Sequence, residues 1–200
     1  MPEGLSPLPV EARRVLDFWF GAPGSALEGR SRPEWFRKDP AFDAAVRGQF
    51  GALIEDGLRG ALEAWADDRR GALAQIIVLD QFTRNAFRDT PRAFAGDPQA
   101  LAAARALVAS GRDAALAPFE RAFAYLPFEH AEDRAMQAEA VRLFEALAAA
   151  APATGEQLDY ARRHQAVIER FGRFPHRNAI LGRPSSDAET AFLTQPGSRF

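Results

Sequence analysis

Apolar residues recur along this chain every three or four positions, the spacing that places side chains on one face of an α-helix. The stretch 10–20 shows this pattern and stops at Gly21, a residue type common at helix ends. Asp39 and Pro40 form a helix-start signal, because an N-cap carboxylate is followed by a first-turn proline. Strand-like alternation never extends beyond three or four residues. The pattern therefore predicts an all-α fold.

The stretch 68–82 is apolar on nearly every side, which indicates a buried central helix that opens at Asp68. Further helices are predicted at 57–65, 97–111, 118–127, 131–151 and 155–171, and Ser185 or Ser186 caps a short terminal helix. We expect about eight to ten helices in a single all-helical domain over residues 1–200, with loose termini at 1–9 and 195–200. Two Asp-led helix starts, near 97 and 131, lie about one tetratricopeptide period apart and suggest an irregular, repeat-like array.

Composition narrows the possible functions. The chain has 200 residues, 47% of them hydrophobic, a formal net charge of −2 and no cysteine. Disulfides, thiolate metal sites and a cysteine nucleophile are thereby excluded, and nucleic-acid binding is not expected from so balanced a charge. No signal peptide or membrane span is evident, so we expect a soluble cytoplasmic protein. Lys38 is the single lysine among 25 basic residues, and this strong arginine bias lowers the weight of any one arginine.

The segment 79–88 is the first candidate site. Asp80, Arg84 and Arg88 follow at intervals of four, and Gln81 with Asn85 forms a parallel polar row. On one helix face these residues offer a carboxylate, two guanidinium groups and two amides. A guanidinium fork fits phosphate or carboxylate, so the face is suited to an anionic ligand. The alternative is a buried ion-pair network that ties this helix to its neighbours, or simple helix capping.

The segment 162–183 is the second candidate, since it holds six arginines and one acid, Glu169, a local excess of +5. Pro175 prevents one continuous helix, and Gly172 fits a C-terminal cap. Backbone amides at the turn that follows can meet an anion. The alternative is a solvated basic surface, or arginines neutralised by acids elsewhere. The candidate ligand-binding residues of this segment are Arg173, His176, Arg177 and Asn178.

The histidines at 130 and 164 are also candidates. His164 shares a helix face with Ile168 and Phe171, so it points inward as a core residue or lines a pocket as a proton donor or acceptor. His130 is flanked by acids, which indicates either a helix start or metal ligands, but the spacing matches no standard zinc pattern. The sequence contains no phosphate-binding glycine loop, dinucleotide fingerprint or Gly-x-Ser-x-Gly elbow. We therefore predict no cofactor and no metal.

Four strings, 15–21, 79–88, 127–132 and 170–183, resemble the uncharacterised "domain of unknown function" family numbered 924, in the order of that family. The resemblance runs from about residue 10 to residue 195 and implies a tetratricopeptide-like fold, without an established activity. Thr83 departs from the family pattern, in which proline is usual, so helix continues more easily there. Ala131 replaces a small hydroxyl residue, which weakens any role for a hydroxyl beside His130.

These observations support three hypotheses. The first is a helical protein in which Arg84, Arg88, Arg173 and Arg177 hold an anionic small molecule, with histidines and Asn178 shaping the pocket. The second is an interaction scaffold whose groove receives a peptide. The third is an enzyme in which His130 or His164 acts as general acid or base. A homo-oligomer is compatible with all three. We expect the two segments to meet in space, because each follows an apolar helix that should pack centrally. A closed pocket where they meet favours the small molecule, whereas a long open groove favours the peptide.

Overall fold

The structure, a computed structural model, describes residues 8–198, and within this range it is built from helices with no β-strand. The third helix, α3, runs in three consecutive segments: α-helical Arg69–Ile76, π-helical Ile77–Phe82 and α-helical Thr83–Ala86. The others are α1 (Val10–Phe20), α2 (Pro40–Leu58), α4 (Asp97–Ala109), α5 (Pro118–His130), α6 (Arg134–Ala150), α7 (Gly155–Phe171) and α8 (Asp187–Leu193). The all-α prediction is confirmed, while the tetratricopeptide-like arrangement stays a prediction.

Several helix ends are set by the local chemistry that the sequence indicates. The side chains of Asp39, Asp68 and Ser186 accept hydrogen bonds from backbone N–H groups in the first turns of α2, α3 and α8. Such bonds satisfy donors that have no partner within the helix. Gly172 ends α7 with a φ of 71°, in the left-handed region that glycine adopts without a Cβ clash. These caps fix where α3 and α7 begin and end, and hence where their polar residues stand.

Three local predictions are wrong. Residues 57–65 do not form a helix: Gly57 lies inside α2, close to Leu62 and Val78, and a 3₁₀ turn follows at Glu63–Asp67. The helix opened by Pro118 does not end at Pro127, because burial of Phe128 beyond it outweighs the lost backbone hydrogen bond. As a result His130 ends a helix rather than starting one.

Helix α3 is central, as its all-round apolar character predicts. It packs against α1, α2, α4 and α5, and every residue from Gly71 to Thr83 is buried. Its π-helical segment carries Asp80 and Gln81, and the hydroxyl of Thr83 donates to the carbonyl oxygen of Leu79 at 2.7 Å. Single-turn π segments inside α-helices are frequent at functional sites. The polar residues of α3 therefore stand on a rigid, buried element.

Gly96, just before α4, marks a close approach of backbone to the π segment. A Cβ at this position would lie 2.1 Å from the carbonyl oxygen of Leu79, far inside van der Waals contact. The chain can therefore pass directly over the π turn only because residue 96 has no side chain. This contact places the start of α4, and the carboxylate of Asp97, beside α3.

Two hydrophobic clusters support the fold. The larger joins α1–α7 and includes the fully buried Phe82, whereas a small one comprises Val167, Ile168 and Phe174, with Phe171 and Phe192 packed against it. Near the C-terminus Ser198 is buried and its hydroxyl donates to the carbonyl oxygen of Leu193 at 3.2 Å. Of the termini expected to be loose, residues 1–7 and 199–200 lie outside the described range. No helix in that range has both the length and the apolar character needed to cross a bilayer.

Candidate functional site

A cavity of about 690 Å³ lies where the two polar segments meet. It opens between α3, the end of α5, α7 and the 3₁₀ turn Pro175–Arg177. Eight of the predicted site residues line it: Gln81, Arg84, Asn85, Arg88, His130, His164, His176 and Arg177. The expectation that the segments converge is confirmed, because residues 93 positions apart in sequence, Arg84 and Arg177, share one cavity.

On the α3 side, Arg84 is held by two carboxylates. Its Nη1 and Nη2 donate to Oδ1 and Oδ2 of Asp97 at 2.8 and 3.0 Å, and Nη1 lies 2.9 Å from Oδ1 of Asp80. The pairing of Asp80 with Arg84 is therefore confirmed. Asp97 was expected to be a helix-start cap, but Gly96 takes that position and the Asp97 carboxylate binds Arg84 instead. Burial lowers the pKa of Arg84, yet the two carboxylates outweigh it and the net shift is upward.

Arg88 and Asn85 share a second carboxylate, Asp43 on α2. Arg88 donates from Nε and Nη2 at 2.7 Å each, and Nδ2 of Asn85 donates at 2.7 Å. Burial raises the pKa of Asp43, but these hydrogen bonds more than reverse it, so the pKa lies below its ordinary value. The structure thus bears out the expected ion-pair network on this side, without removing these groups from the cavity wall.

His130 is oriented by Asp80. Nδ1 of His130 lies 2.7 Å from Oδ1 of Asp80, and Nε2 of Gln81 donates to the other oxygen at 2.5 Å. Burial raises the pKa of Asp80, but the charge of Arg84 and the hydrogen bonds from His130 and Gln81 bring it well below its ordinary value. Because an ionised carboxylate only accepts, Nδ1 carries the proton and Nε2 keeps a lone pair. Burial and the charge of Arg84 lower the pKa of His130, which favours this neutral form.

Glu129 faces His164 across the cavity wall. Nδ1 of His164 lies 2.9 Å from the carbonyl oxygen of Tyr160 and 3.1 Å from Oε1 of Glu129. Burial raises the pKa of Glu129 to about 8, and the negative charge of Asp80 adds to that shift. Burial also lowers the pKa of His164 to about 3. At neutral pH both groups are therefore uncharged, and their 3.1 Å contact is not an ion pair.

Arg177 is the most buried cation of the site, with 7% of its surface exposed. Its guanidinium lies between the rings of Phe94 and Phe174, 4.7 and 4.6 Å from their centroids. Nη2 donates to the carbonyl oxygen of His130 at 3.1 Å, and Nη1 reaches Oδ2 of Asp97 at 3.5 Å. Burial, followed by the charge of Arg84, lowers the pKa of Arg177 to about 10, so it remains a cation at neutral pH.

Three predicted residues do not line the cavity. Asp80 stands behind it as the partner of Arg84 and His130. Arg173 pairs with Glu189 on α8 at 2.7 and 2.8 Å, and Asn178 donates to Oγ of Ser185. A second pair nearby joins Arg183 to Glu132 at 2.6 and 2.8 Å. Much of the basic excess of this segment therefore braces the turn that carries His176 and Arg177.

Sequence reasoning missed several lining residues, of which Glu129 is the most important. If a helix is continued through Pro127, Glu129 falls four positions after Tyr125 and seven after Ala122, on the buried face of α5. This periodicity could have identified Glu129 from the sequence, but the predicted helix end at Pro127 left Glu129 outside the helix. The other missed residues include Phe36, Lys38, Phe94, Gln157, Tyr160 and Arg163.

The described part of the cavity wall contains no cluster of potential metal ligands. Among residues 8–198, no three His, Cys, Asp or Glu side chains are placed to hold a metal ion. The groups around His130 instead pair with one another and with arginines. What they offer is positive charge from guanidinium groups, together with the neutral imidazoles of His130 and His164 and the protonated carboxyl of Glu129.

Comparison with known proteins shows which family the chain belongs to. No curated, characterised protein matches the chain. A solved structure described as a protein of unknown function, ATU0120 from Agrobacterium tumefaciens, is similar at 38% sequence identity and a TM-score of 0.79, over 91% of this chain and 96% of that one. The family described as "Bacterial protein of unknown function (DUF924)" matches residues 15–197, and the chain belongs to that family.

Proposed function

We propose that this protein binds a small anionic molecule in the cavity between α3, α5 and α7. The observation that carries the proposal is Arg177, a buried cation on the cavity wall whose nearest carboxylate contact is 3.5 Å long. Its Nε also has no hydrogen-bond partner among the described residues. A buried charge with incomplete pairing is costly, and an anion in the cavity would complete that pairing.

The remaining charges favour the same sign of ligand. Of the described residues that line the cavity, six are basic and three are acidic. One of the acids, Glu129, is held neutral by burial at physiological pH. Although Arg84 and Arg88 are largely compensated by buried carboxylates, their guanidinium edges still present N–H donors to the cavity. An anion entering here meets donors that are already in place.

Cavity size and apolar lining restrict the ligand further. A volume of about 690 Å³ falls within the range of small-molecule sites. Phe36, Phe94, Leu126 and Ile180 line part of the wall. The site therefore suits an organic anion with an apolar portion, such as a carboxylate, better than a bare inorganic ion. The peptide-scaffold hypothesis is the alternative, but a volume of about 690 Å³ favours the small molecule.

The test is a thermal-shift titration at low salt with succinate, citrate, phosphate and sulfate. A ligand that binds the native state at 100 times its Kd stabilises it by about 2.7 kcal/mol, or roughly 5–11 °C for a chain of this size. We expect at least one carboxylate to raise Tm in the wild type and to lose most of that effect in Arg177→Gln.

Arg173→Gln is the matched control, because Arg173 lies on the same basic segment but pairs with Glu189 outside the cavity. It should retain the ligand-induced shift. Absence of a shift in the wild type with every anion, or an equal loss in both variants, would refute the proposed site. If Arg177→Gln does not fold, Arg177→Lys keeps the charge without the planar fork and should bind more weakly.

A further inference from the structure

The cavity also contains a proton acceptor and a proton donor that anion binding does not require. His130 and Glu129 are consecutive residues at the end of α5, and both line the cavity. Nδ1 of His130 is committed to Asp80 at 2.7 Å, while 16% of the side chain stays exposed. Oε2 of Glu129 is buried and has no hydrogen-bond partner among the described residues. Nε2 of His130 therefore keeps its lone pair, and the carboxyl of Glu129 keeps one oxygen without a partner among the described residues.

We propose that the cavity hydrolyses a carboxylic ester that carries an anionic group, with His130 as general base toward water and Glu129 as proton donor to the leaving alcohol. This inference rests on the proposed anion binding, because Arg177 would hold the anionic group of the substrate. Asp80 acts as a positioning residue, since it fixes the ring and the tautomer of His130. The enzyme hypothesis drawn from the sequence thereby gains specific roles.

Water is the nucleophile because no serine, threonine or cysteine is present among the described residues that line the cavity. Its oxygen forms a bond to the acyl carbon while Nε2 of His130 takes one of its protons. The bond from carbon to the alcohol oxygen then breaks, and Glu129 gives its proton to that oxygen. The products are a carboxylic acid and an alcohol. Proton return from His130 to Glu129 through solvent restores both groups.

The surroundings of this pair keep the two groups in the required protonation states. The charged and titratable groups that face it are Asp80, Arg84, Asp97, His164, His176 and Arg177. Burial raises the pKa of Glu129 to about 8 and lowers the pKa of His130, so a neutral base and a protonated acid coexist near pH 7. Pairs whose environments separate their pKa values in this way mark acid and base roles. Arg84 supplies positive charge where the carbonyl oxygen becomes negative.

Two esters of succinate separate the two roles. The 4-nitrophenyl monoester has a leaving group that departs as an anion, whereas the methyl monoester needs a proton donor. We expect His130→Gln to slow hydrolysis of both by about 100-fold or more. Glu129→Gln, which keeps the shape and neutral charge of the protonated acid, should slow the methyl ester at least tenfold more than the nitrophenyl ester. Glu169→Gln, an exposed position on α7 outside the cavity, should change neither rate.

The outcomes are distinct from those of the binding test. An ester that raises Tm through Arg177 but is hydrolysed no faster than in buffer overturns this inference and leaves the proposed function intact. No Tm shift with any anion removes both. Equal effects of Glu129→Gln on the two esters would refute Glu129 as donor. If His130→Gln does not fold, the pH dependence of the wild-type enzyme with the methyl ester is measured instead. Its hydrolysis rate should decline above pH 8, as Glu129 loses its proton, and a rate without that decline would overturn the inference.

Discussion

The two walls of the cavity differ in how their buried ionisable groups are stabilised. On the α3 wall, formed by Arg84 and Arg88 with Asp80 behind them, each cation meets a carboxylate at 2.7–2.9 Å. On the α5–α7 wall, formed by Glu129, His164 and Arg177, the two acid–base groups are kept neutral and the cation has one long carboxylate contact. Paired charges therefore hold the side chains of one wall in place, while the other wall carries a cation and two acid–base groups without a close opposite charge.

The walls also differ in what supports them. The large core cluster lies behind the α3 wall, and Phe82 within it is completely buried. The small C-terminal cluster lies behind the turn that carries Arg177, and Phe171 is only half-buried there. We therefore expect the α3 wall to be the more rigid and the turn to be the more easily displaced.

The largest expected effect comes from the supporting cores. Phe82→Ala should lower the free energy of unfolding by roughly 3–5 kcal/mol, because a fully buried ring leaves a cavity. Phe171→Ala should cost about 1–2 kcal/mol, since its ring is already partly in solvent. Urea denaturation of both variants gives the two values. Equal losses would mean that the two clusters support their walls equally, contrary to the comparison.

The α3 wall itself should be sensitive to loss of one charge. Asp80→Asn removes the negative charge that pairs with Arg84 and orients His130, and we expect a loss of about 3 kcal/mol. The residual contact of Arg84 with Asp97 keeps the loss from being larger. Equilibrium unfolding at pH 7 measures it. A change below about 1 kcal/mol would show that this wall does not depend on paired charges.

The opposite wall should respond to pH through Glu129. An unfolded glutamate titrates near 4.5 and the folded one at about 8, so within this window the folded chain keeps a proton that the unfolded chain has lost. The resulting stabilisation is complete below about pH 4.5, and it decreases by about 1.4 kcal/mol per pH unit until it is lost through pH 8.

Glu129→Gln should remove this slope, so the stability difference between variant and wild type should grow in favour of the variant as pH rises. Unfolding curves measured between pH 5.5 and pH 9 provide the comparison. Parallel curves for the two proteins would show that Glu129 is ionised in the folded state at neutral pH. The two walls would then be alike in carrying compensated charges.

The smallest effect is expected at the rim. Lys38 and Asp89 form a pair at 2.8 Å with 62% and 69% of their side chains exposed. Lys38→Ala should change the free energy of unfolding by less than about 0.5 kcal/mol, because solvent screens such pairs. Chemical denaturation at low and high salt tests this. A larger loss of unfolding free energy would show that the Lys38–Asp89 pair contributes to stability as the ion pairs of the α3 wall do.

Local signals predicted much of this fold. Asp39, Asp68 and Gly172 were each assigned to the helix end that they occupy, and Ser186 is one of the two serines proposed as the terminal cap, since capping depends on neighbours within a few residues. The convergence of the two arginine-rich segments was also predicted, because each follows an apolar helix that had to pack centrally.

The remaining part of the site depends on pairs that no local pattern reveals. Arg88 finds Asp43 across 45 positions, and Asp97 serves two arginines rather than capping its own helix. The roles of Glu129 and His130 depended on whether α5 passes through Pro127, a question that tertiary packing decides. Sequence reasoning could therefore identify the arginines and histidines but not which charges remain uncompensated.

The π-helical turn at Ile77–Phe82 has a consequence for how this chain tolerates change in length. One residue corresponds to about 100° of rotation in an α-helix. Deleting a residue from this turn would restore ordinary helical phase and swing Arg84 and Arg88 by about that angle relative to the N-terminal half of α3. The contacts of Arg84 with Asp97 and of Arg88 with Asp43 would then be lost. The π turn contains one residue more than an α-helical turn, and this residue fixes the direction in which the two arginine side chains leave the helix. A one-residue deletion here should therefore be tolerated less than most substitutions.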